Sequence, residues 1–97
     1  MSTIYAVEYR YVTDQDEELD RVRPAHRAFN AALADRGRLL AAGPYVGTHD
    51  ALIIVRAEDA ADALALLADD PFQQAGLIAE RLPREWNPVI GVLSAAQ

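Results

Sequence analysis

Hydrophobic and polar residues alternate strictly at the start of the chain. In IYAVEYRY (residues 4–11), Tyr5, Val7, Tyr9 and Tyr11 share one side while Ile4, Ala6, Glu8 and Arg10 share the other. A period of two with this many aromatic and β-branched residues predicts a strand. The polar stretch TDQDEELD follows, its acids placed where a helix N-terminus favours negative charge. The period then changes. Leu19, Val22, His26, Phe29 and Leu33 recur at spacings of three and four, predicting a helix from about Glu18 to Arg36 with these residues on one stripe. Gly37 is its natural end. Pro24 falls inside this run and is expected in the first turn of the regular helix, where a missing N–H removes no hydrogen bond.

RLLAAGPYV (38–46) reads as a second strand interrupted or ended at Gly43-Pro44, GTHD as a turn, and ALIIVRA (51–57) as a third strand. Their close spacing predicts an antiparallel hairpin. Ala60, Leu64 and Leu67 mark a second helix within Glu58 to Asp69. Asp70-Pro71 then opens a short helical turn reaching about Gly76, with an aspartate cap and proline in the first position. From Ile78 to Leu93, apolar runs broken by RLPREWNP suggest a bulged or two-part final strand. The order β-α-β-β-α-β predicts a ferredoxin-like α+β fold: one domain over residues 1–97, an antiparallel four-stranded sheet with two helices on one face. Strand 3 alternates Ala51, Ile53 and Val55 with Leu52 and Ile54, so both sheet faces carry apolar surface. A second copy laid on the uncovered face removes that surface from water at about 25 cal/mol per Å². A homodimer is the expectation.

Composition sharpens this. A chain of 97 residues hides only about 60–65% of its unfolded surface on folding. Alanine fills 19 positions, so the 52% hydrophobic content overstates the large side chains available. Nine arginines, no lysine and 15 acidic residues leave a formal net charge of -6. Such a surface repels phosphates, which argues against nucleic acid or anionic lipid as partners. With no cysteine there is neither a disulfide framework nor thiolate chemistry. Neither a secretory signal nor an 18-residue apolar run is apparent, so a cytoplasmic protein is expected.

The candidate chemistry is sparse. His26 lies on the inward stripe of the first helix, where it reads either as a structural histidine or as an acid–base group whose tautomer a partner fixes. Asp70 reads as a helix cap, and a capping carboxylate can also hold a histidine. Arg23, three residues before His26, is placed either to grip a substrate carboxylate or to pair with Asp20 or Glu18. Tyr5 and Tyr45 are phenols for a pocket wall, or plain sheet aromatics. His49 stands 23 residues from His26 with no metal-ligand spacing, so no metal is expected. Gly43, Gly47 and Gly76 are isolated turn glycines rather than a phosphate loop, and Ser2 and Ser94 lack a nucleophile context.

Three segments, VRPAHRAF (22–29), GRLLAAGP (37–44) and DDPFQQAGL (69–77), follow one another in an order and spacing that resembles the YCII-related, or YciI-like, proteins. The resemblance covers essentially the whole chain. It implies a ferredoxin-like domain of the dimeric α/β-barrel superfamily, similar in shape to muconolactone isomerases and antibiotic-biosynthesis monooxygenases. It also implies a site pairing the histidine of R-x-x-H with the aspartate of D-P-F, here His26 and Asp70, with Arg23 beside them. One branch of the family resembles dehydrochlorinases of chlorinated hydroxyquinols, implying proton abstraction and elimination without a cofactor. Many relatives carry a small hydroxyl residue where the third strand begins; this chain has Asp50-Ala51. The expected function is therefore cofactor-independent acid–base chemistry on a small aromatic or enolisable substrate. His26 is the expected base, Asp70 its orienting partner, and Arg23 or a tyrosine the group that holds substrate oxygen. The alternative is a non-catalytic dimer that binds a small ligand or supports a larger assembly.

Overall fold

A computed structural model describes residues 3–96. The elements run β1 (Thr3–Tyr11), α1 (Asp16–Asp35), β2 (Leu39–Pro44), β3 (Asp50–Ala57), α2 (Ala60–Leu66), α3 (Pro71–Gln74) and β4 (Ile78–Glu85), closing on a 3-10 turn at Ser94–Ala96. The strands form one antiparallel sheet in the order β2-β3-β1-β4, the ferredoxin-like arrangement. The register pairs Tyr5 with Val55, Val7 with Ile53 and Tyr9 with Ala51. Directly opposed residues share a face, and this face is the core: those side chains pack with Leu33 from α1 and with Ala63 and Leu67 from α2 and the turn beyond it. A second, smaller cluster joins Leu19 and Val22 of α1 to Phe72 and Leu77 around α3. Among the described residues, no helix is long and apolar enough to cross a membrane.

Pro24 lies in the middle of α1 rather than in its first turn. A mid-helix proline costs about 3 kcal/mol or more. Here the helix is anchored on both sides of it, by buried Leu19 and Val22 before and by His26 and Leu33 after, while Pro24 itself faces solvent. Tertiary packing outweighs the missing bond. The helix ends in a Schellman turn: Arg38 N–H donates to Leu33 O and Gly37 N–H to Ala34 O, both at 3.0 Å. Gly37 takes the left-handed φ of 73° that this turn requires.

Two expectations change beyond this. The final strand is bulged, as the sequence allowed, where Arg10 and Tyr11 pair with Glu80 and Ile78, but it stops at Glu85 instead of running on to Leu93. Trp86 N–H still donates to Ile4 O, but Asn87-Pro88 breaks the ladder there. The sheet face away from the helices is also not bare. Ile4 and Ile54 lie on it and are 3% and 4% exposed. The chain after β4 returns over that face: Pro88 is buried, and the Arg56 guanidinium donates to Ala96 O. Open apolar surface remains on this returning segment, at Val89, Ile90 and Val92, and also at Val46 after β2.

Candidate active site

The short helix α3 is organised by its own first residues. Asp70 caps it, Oδ1 accepting from Phe72 N–H at 3.0 Å, and Pro71 occupies the first position, where its missing N–H is harmless. Its end is a second Schellman turn, Leu77 N–H to Phe72 O at 3.0 Å and Gly76 N–H to Gln73 O at 3.1 Å. Leu77 is thereby folded onto Phe72 in the small cluster beside α1. Asp70 and Phe72 are held at both ends of one helical turn, facing α1 and β1.

His26 meets them there. Its Nδ1 lies 2.8 Å from Oδ1 and 2.9 Å from Oδ2 of Asp70. The imidazole stacks on the Phe72 ring, centroids 4.2 Å apart and planes 21° from parallel. The Tyr9 hydroxyl donates to Asp70 Oδ2 at 3.0 Å. Asp70 is wholly buried, and its two oxygens accept from a backbone N–H, a phenol and an imidazole N–H. A buried carboxylate that accepts this many bonds is compensated for the water it lost. Because Nδ1 faces a carboxylate, it is the ring's donor there, and in the neutral ring Nε2 then carries the lone pair. Asn30, one helical turn after His26, places Nδ2 3.2 Å from that nitrogen.

Both phenols near Asp70 are held in their protonated form. Burial, and then the Asp70 carboxylate, push Tyr9 far above the ordinary phenol range. The same two causes, burial first, push Tyr11 up to about 12. Tyr9 is thus a fixed donor that orients Asp70 and no candidate for a base.

His26 and Asn30 line a cleft of about 850 Å³ between α1 and the β2–β3 side of the sheet. One wall is apolar, with Leu39, Ala42, Pro44, Ile53 and Phe72; α1 supplies Arg23, Arg27 and Asp20. Arg23 pairs with Asp20 at 2.5 Å and is partly exposed. It therefore both lines the cleft and makes the surface pair that its spacing allowed; Glu18 is taken by Arg21. At the rim, His49 Nε2 lies 3.0 Å from Asp16 Oδ1.

The structure moves the tyrosine expectation. Tyr5 is buried in the main core, and neither it nor Tyr45, which is 41% exposed, lines the cleft. Tyr11 lines the cleft in their place, and Tyr9 reaches the site through Asp70. Tyr5 and Tyr9 share a strand face, so periodicity alone cannot separate them; α3 lies toward the Tyr9 end. Asn30 was also missed, although its spacing of four from His26 carried the signal.

The YCII-related domain family matches residues 2–87 of the chain. No curated protein sequence matches. Among solved structures, the fold is similar to 5-chloro-2-hydroxyhydroquinone dehydrochlorinase (TftG) from Burkholderia phenoliruptrix AC1100, in complex with 2,5-dihydroxybenzoquinone. The TM-score is 0.74 at 20% identity, covering 86% of this chain and 92% of that one. It is also similar to a NIPSNAP family protein from Agrobacterium tumefaciens C58, with a TM-score of 0.54 at 19% identity, covering 89% and 91%.

Proposed function

From the premise that this chain belongs to the YCII-related domain family, we propose that it is a cofactor-independent acid–base enzyme acting on a small aromatic or enolisable carboxylate or phenol. The observation that carries this is the hold of the wholly buried Asp70 on His26 Nδ1, at 2.8 and 2.9 Å, beside an open cleft. His26 Nε2 is then the base. It takes a proton from a substrate C–H or O–H, and the released electron pair passes into the conjugated oxygen system. Asp70 stabilises the imidazolium that forms and keeps the ring in one tautomer. The proton then returns to another substrate atom, as in isomerisation, or the electron pair expels a leaving anion, as in elimination. Arg23 exchanges its exposed Asp20 partner for a substrate oxygen. A base placed in this way contributes about 10²–10⁴ in rate.

The apolar wall formed by Leu39, Ile53 and Phe72 supports a flat, largely carbon-built substrate, and the two α1 arginines support oxygen anions on its edge. The shared fold with a dehydrochlorinase whose structure holds 2,5-dihydroxybenzoquinone makes oxygenated, ring-substituted phenols the first substrates to assay. The same reading places the site in a cytoplasmic homodimer, with exposed Val89, Ile90 and Val92 covered by a second copy.

The test is turnover of a panel of chlorinated hydroxyhydroquinones and enolisable carboxylates, followed by chloride release and by ring-tautomer absorbance. His26→Gln is expected to lower the rate on any active substrate by about 10²-fold or more. Full activity in that variant overturns the proposal. One observation favours a second reading, a non-catalytic ligand-binding dimer: Asp70 also serves the fold, as cap of α3 and acceptor of the Tyr9 hydroxyl. Under that reading the replacement of His26 costs stability and leaves binding of 2,5-dihydroxybenzoquinone intact.

A further inference from the structure

Asn30 carries the one buried side-chain oxygen or nitrogen that has no hydrogen-bond partner among the described residues, its Oδ1. The other end of the same amide, Nδ2, faces His26 Nε2 at 3.2 Å. These two facts belong together. A neutral ring with its proton on Nδ1 offers only a lone pair at Nε2, so the amide must present an N–H there. A protonated ring offers an N–H at the same point, and the amide must then present its oxygen. A half-turn about the Cβ–Cγ side of the amide exchanges the two groups with almost no change in volume. Since the far end has no partner in the observed orientation, no second bond locks the amide. The contact with His26 is the one hydrogen bond of this amide among the described residues.

We propose that Asn30 is a positioning residue whose amide reverses as His26 exchanges its proton. Nδ2–H donates to the neutral ring, and Oδ1 accepts from the imidazolium. This rests on the reading of His26 as a group that gains and loses a proton, though not on any particular substrate. No covalent bond in Asn30 changes; the only proton that moves is the one arriving at or leaving Nε2. In the observed orientation the amide covers the basic lone pair with a single long bond, which an incoming acidic group displaces. After transfer the turned amide gives the new N–H an acceptor.

The other groups around the ring come from three elements. Asp70, at the start of α3, accepts from Nδ1; Tyr9 and Tyr11 of β1 remain phenols; on α1, Arg23 is paired with Asp20 and Arg27 lines the cleft. The second imidazole on the cleft, His49, is bonded to Asp16. Its replacement by glutamine removes the overlapping signal.

The experiment is a pH titration of full-length His49→Gln protein by ¹H–¹⁵N NMR, following the His26 ring nitrogens and the Asn30 side-chain amide, with no ligand present. The Asn30 amide proton nearest the ring is expected to lose its hydrogen-bonded downfield shift at the same midpoint at which Nε2 gains its proton. Asn30→Asp, which can only accept, is expected to move the ring transition to higher pH. An amide that ignores the ring transition overturns the proposal, as does a ring that keeps one state throughout the folded range. A transition in Asn30→Asp that stays in place or falls also overturns it. If that variant does not fold, the titration of the Asn30-containing protein decides. Inactivity toward every substrate tested bears on the proposed enzyme and leaves this result standing.

Discussion

His26 and His49 each hold an aspartate beside the same cleft, the inner pair at 2.8 Å and the rim pair at 3.0 Å. By residue type and distance the two are nearly interchangeable. Their surroundings are not. The inner side chains are 10% and 0% exposed, the rim side chains 55% and 72%. Asp70 is further bonded to Tyr9 and to the backbone of Phe72, and the His26 ring is stacked on an aromatic face. Asp16 and His49 share only their mutual bond among the hydrogen bonds between side chains described above. A buried, fully bonded pair fixes a tautomer and resists rearrangement. An exposed pair competes with water and salt, and contributes about 0–1 kcal/mol. Distance alone does not identify a candidate site; the partners behind the carboxylate do.

The largest effect expected from this difference follows removal of the inner carboxylate. Asp70→Ala strips the acceptor from His26, Tyr9 and Phe72 N–H at once and uncaps α3. Breaking a buried charged partnership of this kind costs about 3–5 kcal/mol, a large part of the about 5–15 kcal/mol that holds a small domain folded. Urea unfolding at neutral pH measures it. A loss below about 1 kcal/mol would mean that the inner pair behaves like a surface pair, and the comparison would break.

A smaller effect isolates one bond of the inner network. Tyr9→Phe removes the hydroxyl that donates to Asp70 and leaves the ring, so the expected cost is about 1.5–3 kcal/mol, the range for a bond to a charged group. The pH dependence has a definite sign. Both phenols are raised above their ordinary pKa of about 10, so the native state holds their protons more tightly than the unfolded chain. The stabilisation is complete below about pH 10 and is lost as pH rises, for Tyr11 through about 12. Unfolding free energy should therefore fall above pH 10, and fall less steeply in Tyr9→Phe. Equal slopes in the two proteins would show that Tyr9 is not held by burial beside Asp70.

Much of this was legible in the chain before the structure, for reasons that can be stated. The change of period from two at Tyr5–Tyr11 to three and four at Leu19–Leu33 marks β1 and α1, because these periodicities follow from backbone geometry. Asp70-Pro71 marks the start of α3 because a cap and a first-position proline satisfy local constraints. What escaped depends on tertiary placement. Pro24 stays inside α1 because buried residues on both sides hold the helix through it. The end of β4 is decided at Asn87-Pro88, although apolar residues continue to Leu93. The choice of Tyr9 over Tyr5 depends on which end of β1 meets Asp70 and Phe72, and strand alternation treats the two alike. The pairing of His26 with Asp70 across 44 residues was suggested by family resemblance; helical spacing placed the ring inward but could not name its partner.

The smallest expected effect lies at the rim. His49→Gln keeps a hydrogen-bonding side chain and loses only the chance of a charged partner for Asp16. At neutral pH and moderate salt the cost should be within about 0.5 kcal/mol, as for most surface substitutions. The difference between parent and variant should narrow in 1 M salt, where screening acts within about 3 Å. Parallel urea curves at neutral pH in low and high salt measure this trend. A salt-independent loss as large as that of Asp70→Ala would make His49–Asp16 a second structural pair, and burial would no longer separate the two. If the rim pair follows salt and the inner pair does not, the same two residue types have been shown to do different work according to what stands behind the carboxylate.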